Sequence, residues 1–271
     1  MAAGDRLRPL DGWPRQERAR IACLFTDIDD TLTLGGRLPA IAYTAMERLA
    51  RAGIAVVPIT GRPAGWCDHI ARMWPVEGVV GENGAFWFRY DPDRRRLVRR
   101  FLQEEELRRR NRRRLEALGR RILAEVPGCA LASDQLYRES DLAIDWCEDV
   151  PPLGDAAVAR ILELFREAGC TAKVSSIHVN GWFGDYDKLT MTRLFAREAL
   201  GFDLEEARSR CCFVGDSPND APMFRFFETA VGVANLARFA EHMRDLPAYI
   251  TRRPGGEGFA ELAEALLVAR D

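Results

Sequence analysis

At 271 residues, with 47% hydrophobic and 30% charged side chains, the chain can bury a sizeable core, as one large domain or a core plus an insert. A net charge of −2 gives no global attraction to nucleic acid, and no apolar run reaches the roughly 18 residues of a membrane helix. The seven cysteines are odd in number and scattered, with Cys211 and Cys212 adjacent and no C-x-x-C pair, which argues against a disulfide framework or a zinc site and fits a reducing, cytoplasmic setting.

The first twenty residues mix Arg with Asp5, Asp11 and Glu17 and have no apolar h-region, so no secretory signal is expected there. The apolar stretch then predicts a strand over Ile21–Thr26. A helix follows over Ala40–Ala52, with Gly53 as its C-cap. Strand Ile54–Thr60, helix Pro63–Met73 and a short strand at Gly78–Val80 continue the alternation. Such βαβα order predicts a mainly parallel sheet with helices on both faces.

The middle reads differently. Ala85–Tyr90 and Arg96–Phe101 flank Asp91-Pro92-Asp93 and predict a hairpin. One long charged helix is expected over Glu104–Glu125, then strand Leu142–Trp146, helix Leu153–Ala168 and strand Ala172–Val179. The parent pattern resumes with helix Leu189–Leu200, strand Cys211–Val214, helix Ala221–Thr229, a short strand Ala230–Val233 and a last helix Phe259–Val268. The expected architecture is α/β: a Rossmann-like, doubly wound parallel sheet core from residues 1–88 and 187–271, with an inserted α+β unit at 89–186.

Chemistry gathers at the strand ends. The run Phe25-Thr26-Asp27-Ile28-Asp29-Asp30-Thr31 places three acids just past the first strand, where ligands bind in open α/β sheets. Clustered acids repel unless a positive group joins them, and a hard divalent cation with oxygen ligands serves well. Thr60-Gly61-Arg62-Pro63, Asp187-Lys188 and Gly215-Asp216-Ser217-Pro218-Asn219-Asp220 end later strands or begin later helices along the same edge. Of 39 basic residues only Lys173 and Lys188 are lysines. A retained lysine suits a tight site that needs a point charge rather than a planar fork.

These groups can support phosphoryl transfer through an aspartyl phosphate. Asp27 attacks phosphorus, and Asp29 protonates the leaving oxygen and then deprotonates the hydrolytic water. Mg²⁺ is held by Asp27, the backbone carbonyl of Asp29 and Asp216, with Asp220 behind. Thr60 and the backbone N–H groups near Ile28 and Asp29 hold phosphoryl oxygens, and Lys188 neutralises charge.

The order of these segments resembles the haloacid dehalogenase (HAD) superfamily of phosphohydrolases, whose four motifs match Asp27-x-Asp29-x-Thr31, Thr60, Lys188 and Gly215-Asp216-x-x-Asn219-Asp220. The insert between the second and third motifs resembles the larger α/β cap of the Cof-type branch, which contains sugar-phosphate phosphatases and the eukaryotic phosphomannomutases. Glu82-Asn83-Gly84-Ala85 is similar to that branch's loop ahead of the cap. Two positions depart from it: the branch often has Gly where this chain has Asp30 and Leu189. Asp tolerates left-handed backbone angles, so the first change is mild.

The resemblance implies a Mg²⁺-dependent phosphatase acting on a small phosphate ester, with sugar phosphates foremost, as a monomer or homodimer with no nucleic-acid or membrane partner. The candidate substrate contacts are Gly61, Arg62, Asn83, Arg138, His178, Asn180 and Asn219. Several candidates have a plainer alternative. Thr60 can cap the next helix, Asp30 and Thr31 can hold the turn, Asn219 can orient Lys188 or its loop, and Arg62 and Arg138 can be surface ion-pair partners. The run Arg108–Arg114 follows Glu104, Glu105 and Glu106 by about one turn, so i,i+4 pairing on a solvated helix explains it better than nucleic acid does. Trp182 and Phe183 can line a cleft or pack cap on core. The rival readings are a phosphomutase with the same nucleophile, a receiver-type switch and a silent metabolite-binding protein.

Overall fold

The structure is a computed structural model and describes residues 7–175 and 177–270. In chain order it runs β1 (Arg8–Pro9), α1 (Arg15–Arg18), β2 (Cys23–Thr26), α2 (Ala40–Arg51), β3 (Ala55–Pro58), α3 (Ala64–Met73), β4 (Val79–Gly81), β5 (Phe86–Asp91) and β6 (Arg96–Phe101). Then come α4 (Glu105–Glu125), β7 (Ala130–Leu131), β8 (Asp141–Asp145), α5 (Asp155–Glu167), β9 (Thr171–Val174) and β10 (His178–Trp182). The last part holds α6 (Lys188–Phe195), β11 (Cys211–Gly215), α7 (Ala221–Phe226), β12 (Val231–Gly232), β13 (Tyr249–Ile250) and α8 (Gly255–Val268).

Six strands form one parallel sheet in the order β1-β13-β12-β11-β2-β3. Its strands are apolar on both faces because both faces are covered. Leu24, Val56, Cys212 and Val214 point into the layer containing α2, α3 and α8, while Cys23, Phe25, Val57, Cys211 and Phe213 point into the layer containing α6 and α7. This is the strand's two-residue period expressed in two cores. The expected doubly wound α/β sheet is therefore present. Short β1 and β13 extend it, two-residue strands that leave no periodic signal. Helix α8 begins four residues before the expected Phe259, because Gly255, Gly256 and Gly258 hide a helical first turn behind poor propensity.

A second sheet is antiparallel, in the order β7-β8-β10-β9. Leu142, Ile144 and Val179 on one face pack under Leu115, Leu118 and Ile122 of α4 and Ile161, Leu164 and Phe165 of α5, a core of its own. Asp141, Asp145, His178 and Asn180 alternate with them onto the other face and are also buried. The single strand expected over Ala172–Val179 is instead a hairpin. Ser175 turns the chain: its N–H donates to the His178 carbonyl at 2.8 Å, and its Oγ accepts from the His178 N–H at 3.0 Å. Ser176, inside that expected strand, lies outside the described residues.

The β5–β6 hairpin pairs with β4, which is bridged to the parallel sheet through Ile59 and Val80. Its Phe86 and Phe88, with Phe101, pack into the core layer beneath α3. Among the described residues no helix is long and apolar enough to cross a membrane, and no disulfide is formed.

Candidate active site

From β2 the chain winds outward through β3, and from β11 it winds the other way through β12 and β13, so the sheet's switch point lies between β2 and β11. A crevice forms there beyond the strands' carboxyl ends. Asp27 leaves β2 with its N–H bonded to the Val214 carbonyl of β11 at 2.9 Å. Asp216 leaves β11 beside it. Lys188 opens α6, whose N-cap Asp187 accepts from the Thr190 N–H at 2.8 Å. The Lys188 ammonium donates to Asp27 Oδ1 at 2.6 Å and to Asp220 Oδ1 at 2.8 Å, all three groups being buried.

Backbone shape admits these contacts at two glycines. A Cβ on Gly215 would stand 2.4 Å from Asp220 Oδ2, so only glycine lets that carboxylate lie against the strand end. Gly84 sits at φ +107°, where a Cβ would meet the Asp187 carbonyl at 2.1 Å, so the 82–84 loop can pack directly on the start of α6. Asp30 adopts φ 56°, the left-handed angle its residue type tolerates, and its N–H is held by Thr33 Oγ1 at 2.9 Å.

One carboxylate oxygen from each of Asp27, Asp216 and Asp220 lies within 4.8 Å of the others. Asp216 is fixed from several sides. Its N–H donates to Asp220 Oδ2 at 3.3 Å, its own oxygens accept from Thr31 Oγ1 at 3.4 Å and Asn235 Nδ2 at 3.3 Å, and the Arg238 guanidinium stands at 3.8 Å. Burial pushes Asp27 up to about 7 against the pull of Lys188, with Asp220 and Asp29 adding to the rise. Burial, then Asp27 and Asp220, push Asp216 up to about 9. Burial disfavours charge on Lys188, but Asp220 and Asp27 outweigh it and hold the ammonium well above its usual range. Three buried acids share one buried ammonium, and the raised acids mark an unmet need for positive charge.

Arg62 organises the other half of the site. Its Nε and Nη2 grip the Asp29 carboxylate at 2.8 to 3.1 Å, and Nη2 also reaches Glu148 Oε1 of the loop after β8 at 3.1 Å. Glu148 in turn stands 2.8 Å from His178 Nε2. The His178 contact and the Arg62 charge hold the Glu148 carboxyl down at about 2. Arg62 is thus a buried bridge between parallel sheet and insert, not a surface ion pair.

Asp27, Asp29, Gly61, Arg62, Asn83, Arg138, His178, Asn180, Asp216 and Asn219 line one chamber of about 30 Å³. Thr60 lies at the end of the neighbouring strand, fully buried, with its Oγ1 accepting from the Arg62 N–H at 3.0 Å. Arg138, a candidate substrate contact, turns its fork to the protein itself. The fork is spent on Asp134 at 2.9 Å, Asp141 at 3.0 Å and the Gly61 carbonyl at 2.9 Å, so it ties insert to core. Asn180 donates to Asp141 at 2.9 Å. Asn219 accepts from Ser217 Oγ at 2.8 Å and so orients its loop rather than Lys188. Trp182 is wholly buried and stacks on Tyr186 at 5.6 Å, which is packing rather than cleft lining.

Sequence reasoning missed Glu82 as a connector. Its buried carboxylate accepts from the Ala64 N–H at 3.0 Å on the core side and from the Glu139 and Ser140 N–H groups at 2.9 and 2.6 Å on the insert side. Burial and the neighbouring Asp141 push its carboxyl up to about 8 against Arg138 and these amides. It also missed Asp134, Asp141, Glu148, Asn235 and Arg238. For Asp141 and Asp145 a signal was present in the polar–apolar alternation of Asp141 to Asp145.

No family model matches the chain. Solved structures do. Thermoplasma acidophilum 0175 superposes with a TM-score of 0.69 at 16% identity, over 92% of this chain and 99% of that one. A sugar phosphatase of HAD subclass IIB gives 0.62 at 15% identity, over 92% and 100%. The fold is the HAD fold. The sucrose-phosphatase of Synechocystis sp. PCC6803, solved with sucrose and phosphate, gives 0.62 at 16% identity, over 90% and 97%. The HAD likeness therefore spans parallel sheet and insert together.

Proposed function

We propose that the protein is a Mg²⁺-dependent phosphatase of small phosphorylated metabolites, sugar phosphates foremost, working through a phosphoryl group carried on Asp27. The observation behind this reading is the Lys188 ammonium 2.6 Å from Asp27 inside a buried three-acid cluster at the sheet's switch point. The sugar-phosphatase and sucrose-phosphatase neighbours support the substrate class.

The donor set fits a hard divalent cation: all-oxygen, buried, and short of positive charge. Asp27, Asp216 and the Asp29 carbonyl would hold it, with Asp220 behind. When bound, the ion supplies charge that keeps Asp27 and Asp216 ionised and stabilises phosphoryl oxygens.

The side chains then have separate roles. An Asp27 oxygen attacks phosphorus and the ester P–O bond breaks, while Asp29 donates its proton to the leaving oxygen. Asp29 next takes a proton from water as that water attacks phosphorus, and phosphate leaves as Asp27 is restored. Lys188 neutralises Asp27 and the phosphoryl group throughout. The Thr60 hydroxyl and the Ile28 and Asp29 N–H groups hold phosphoryl oxygens. Asp29 must first leave the Arg62 fork, and Glu148 and Asp134 stand ready to balance the freed guanidinium. The antiparallel sheet with α4 and α5 acts as the cap: its buried polar face covers the chamber and excludes water, and its opening gates turnover.

The test is phosphate release from a panel of monoesters, with and without Mg²⁺ and without a bisphosphate activator. Asp27→Asn is expected to abolish release with the circular dichroism spectrum unchanged. Wild-type rates in that variant would remove Asp27 as nucleophile. Turnover that requires a bisphosphate would favour a mutase.

A further inference from the structure

The chamber at Asp27 is small, about 30 Å³. A bulky leaving group finds far more room in the open space next to it. The proton donor marks the direction, because it must stand at the leaving oxygen. Asp29 lines the chamber, and with Arg62 it also lines a second, open cavity of about 990 Å³. This cavity runs from the loop around Thr33 and Gly36, along α3, to Leu136 and Tyr137 of the insert. The Arg62 fork on Asp29 forms the wall between the two spaces.

Resting on the phosphatase reading, we infer that this cavity receives the leaving group, and that the leaving group is an alcohol bearing an aromatic-sized apolar face. The walls carry four large apolar side chains left open to solvent: Trp66 at 44% exposure, Met73 at 64%, Tyr137 at 58% and Leu136 at 94%. Such a concentration in one concave surface marks a binding face. Trp66 already accepts one flat group, the Arg62 guanidinium, 4.5 Å from its ring centre. Two further arginines stand in this wall. Arg72 and Arg99 share the one carboxylate of Asp68, each at 2.6 Å. A ring finds a stacking surface here.

The experiment compares 1-naphthyl phosphate with glycerol 3-phosphate in the wild type, Trp66→Ala and Leu136→Ser. Both altered side chains are solvent-exposed, so the fold survives the changes. In each variant the ratio of kcat/KM for naphthyl over glycerol phosphate is expected to fall at least tenfold, chiefly through KM. Ile41→Ser, at an exposed site on α2, serves as the control and leaves the ratio unchanged. A ratio that stays within twofold of wild type in both variants overturns the assignment, as does equal loss on both esters. Binding is also read calorimetrically in the Asp27→Asn background, where Trp66→Ala should weaken 1-naphthyl phosphate at least tenfold and inorganic phosphate not at all. That arm keeps the two readings separate: if it holds while wild type releases no phosphate, the cavity stands and the phosphatase reading falls.

Discussion

In the parallel sheet, Asp27, Thr60 and Asp216 reach the site from loops beyond strand ends. In the antiparallel sheet of the insert, His178 and Asn180 reach it from within a strand, alternating with Val179, which faces the other way into that unit's own core. The difference is one of covering. A sheet buried under helices on both faces has no polar face to offer, so its functional groups must cluster where strands end. A sheet with helices on one face can turn the other toward a partner surface. One sheet therefore supplies a compact reactive cluster, and the other supplies a polar ceiling held down by Glu82, Arg62 and Arg138.

Removing Lys188 strikes the strand-end cluster hardest. Lys188→Met is expected to cut kcat/KM for any accepted ester by about 10³-fold, measured by initial-rate phosphate release. A loss under tenfold would separate the ammonium from the chemistry.

The next test breaks the joint between the two sheets. Glu82→Ala strips a buried acceptor from N–H groups on both sides of it. Unfolding free energy should drop by about 3 kcal/mol, read from urea midpoints. A drop under about 1 kcal/mol would mean that the insert is held by its other ties.

Cation and pH sharpen the picture of the cluster. In the cation-free protein Asp27 and Asp216 favour their protonated forms, near 7 and 9 against an ordinary 3.8. Their contribution to stability is therefore full below about pH 4 and is lost as pH rises through 7 and then 9. Mg²⁺ at a hundred times its Kd is worth about 2.7 kcal/mol, or roughly 5 to 10 °C in Tm for a chain of this size. Because protons compete with the ion, the gap in Tm with and without Mg²⁺ should widen from about pH 5 to 9. A gap that stays flat would mean that the acids are not its ligands.

The smallest effect belongs to the insert's outer helix. Arg109 pairs with Glu105 one turn earlier, both exposed. Arg109→Ala should change stability by no more than about 0.5 kcal/mol and leave phosphate release untouched. A larger loss would show the arginine run to be structural.

The sequence by itself determined the parallel sheet, its winding and the strand-end cluster. These rest on local features: apolar runs that must be buried on both faces, and acids and glycines packed into loops of a few residues. Even the left-handed turn at Asp30 was legible from its residue type. Tertiary structure alone decided what the insert does. Arg138 reads in sequence as a substrate contact or a surface arginine and proves to be a buried tie, Arg62 passes for a surface residue and proves to be a buried bridge, and Ser175 reverses a strand that the apolar pattern would have continued. Whether a guanidinium is free or committed depends on which carboxylates folding brings within about 3 Å of it. Here those partners lie up to 86 residues away, on elements whose own spacing says nothing of one another.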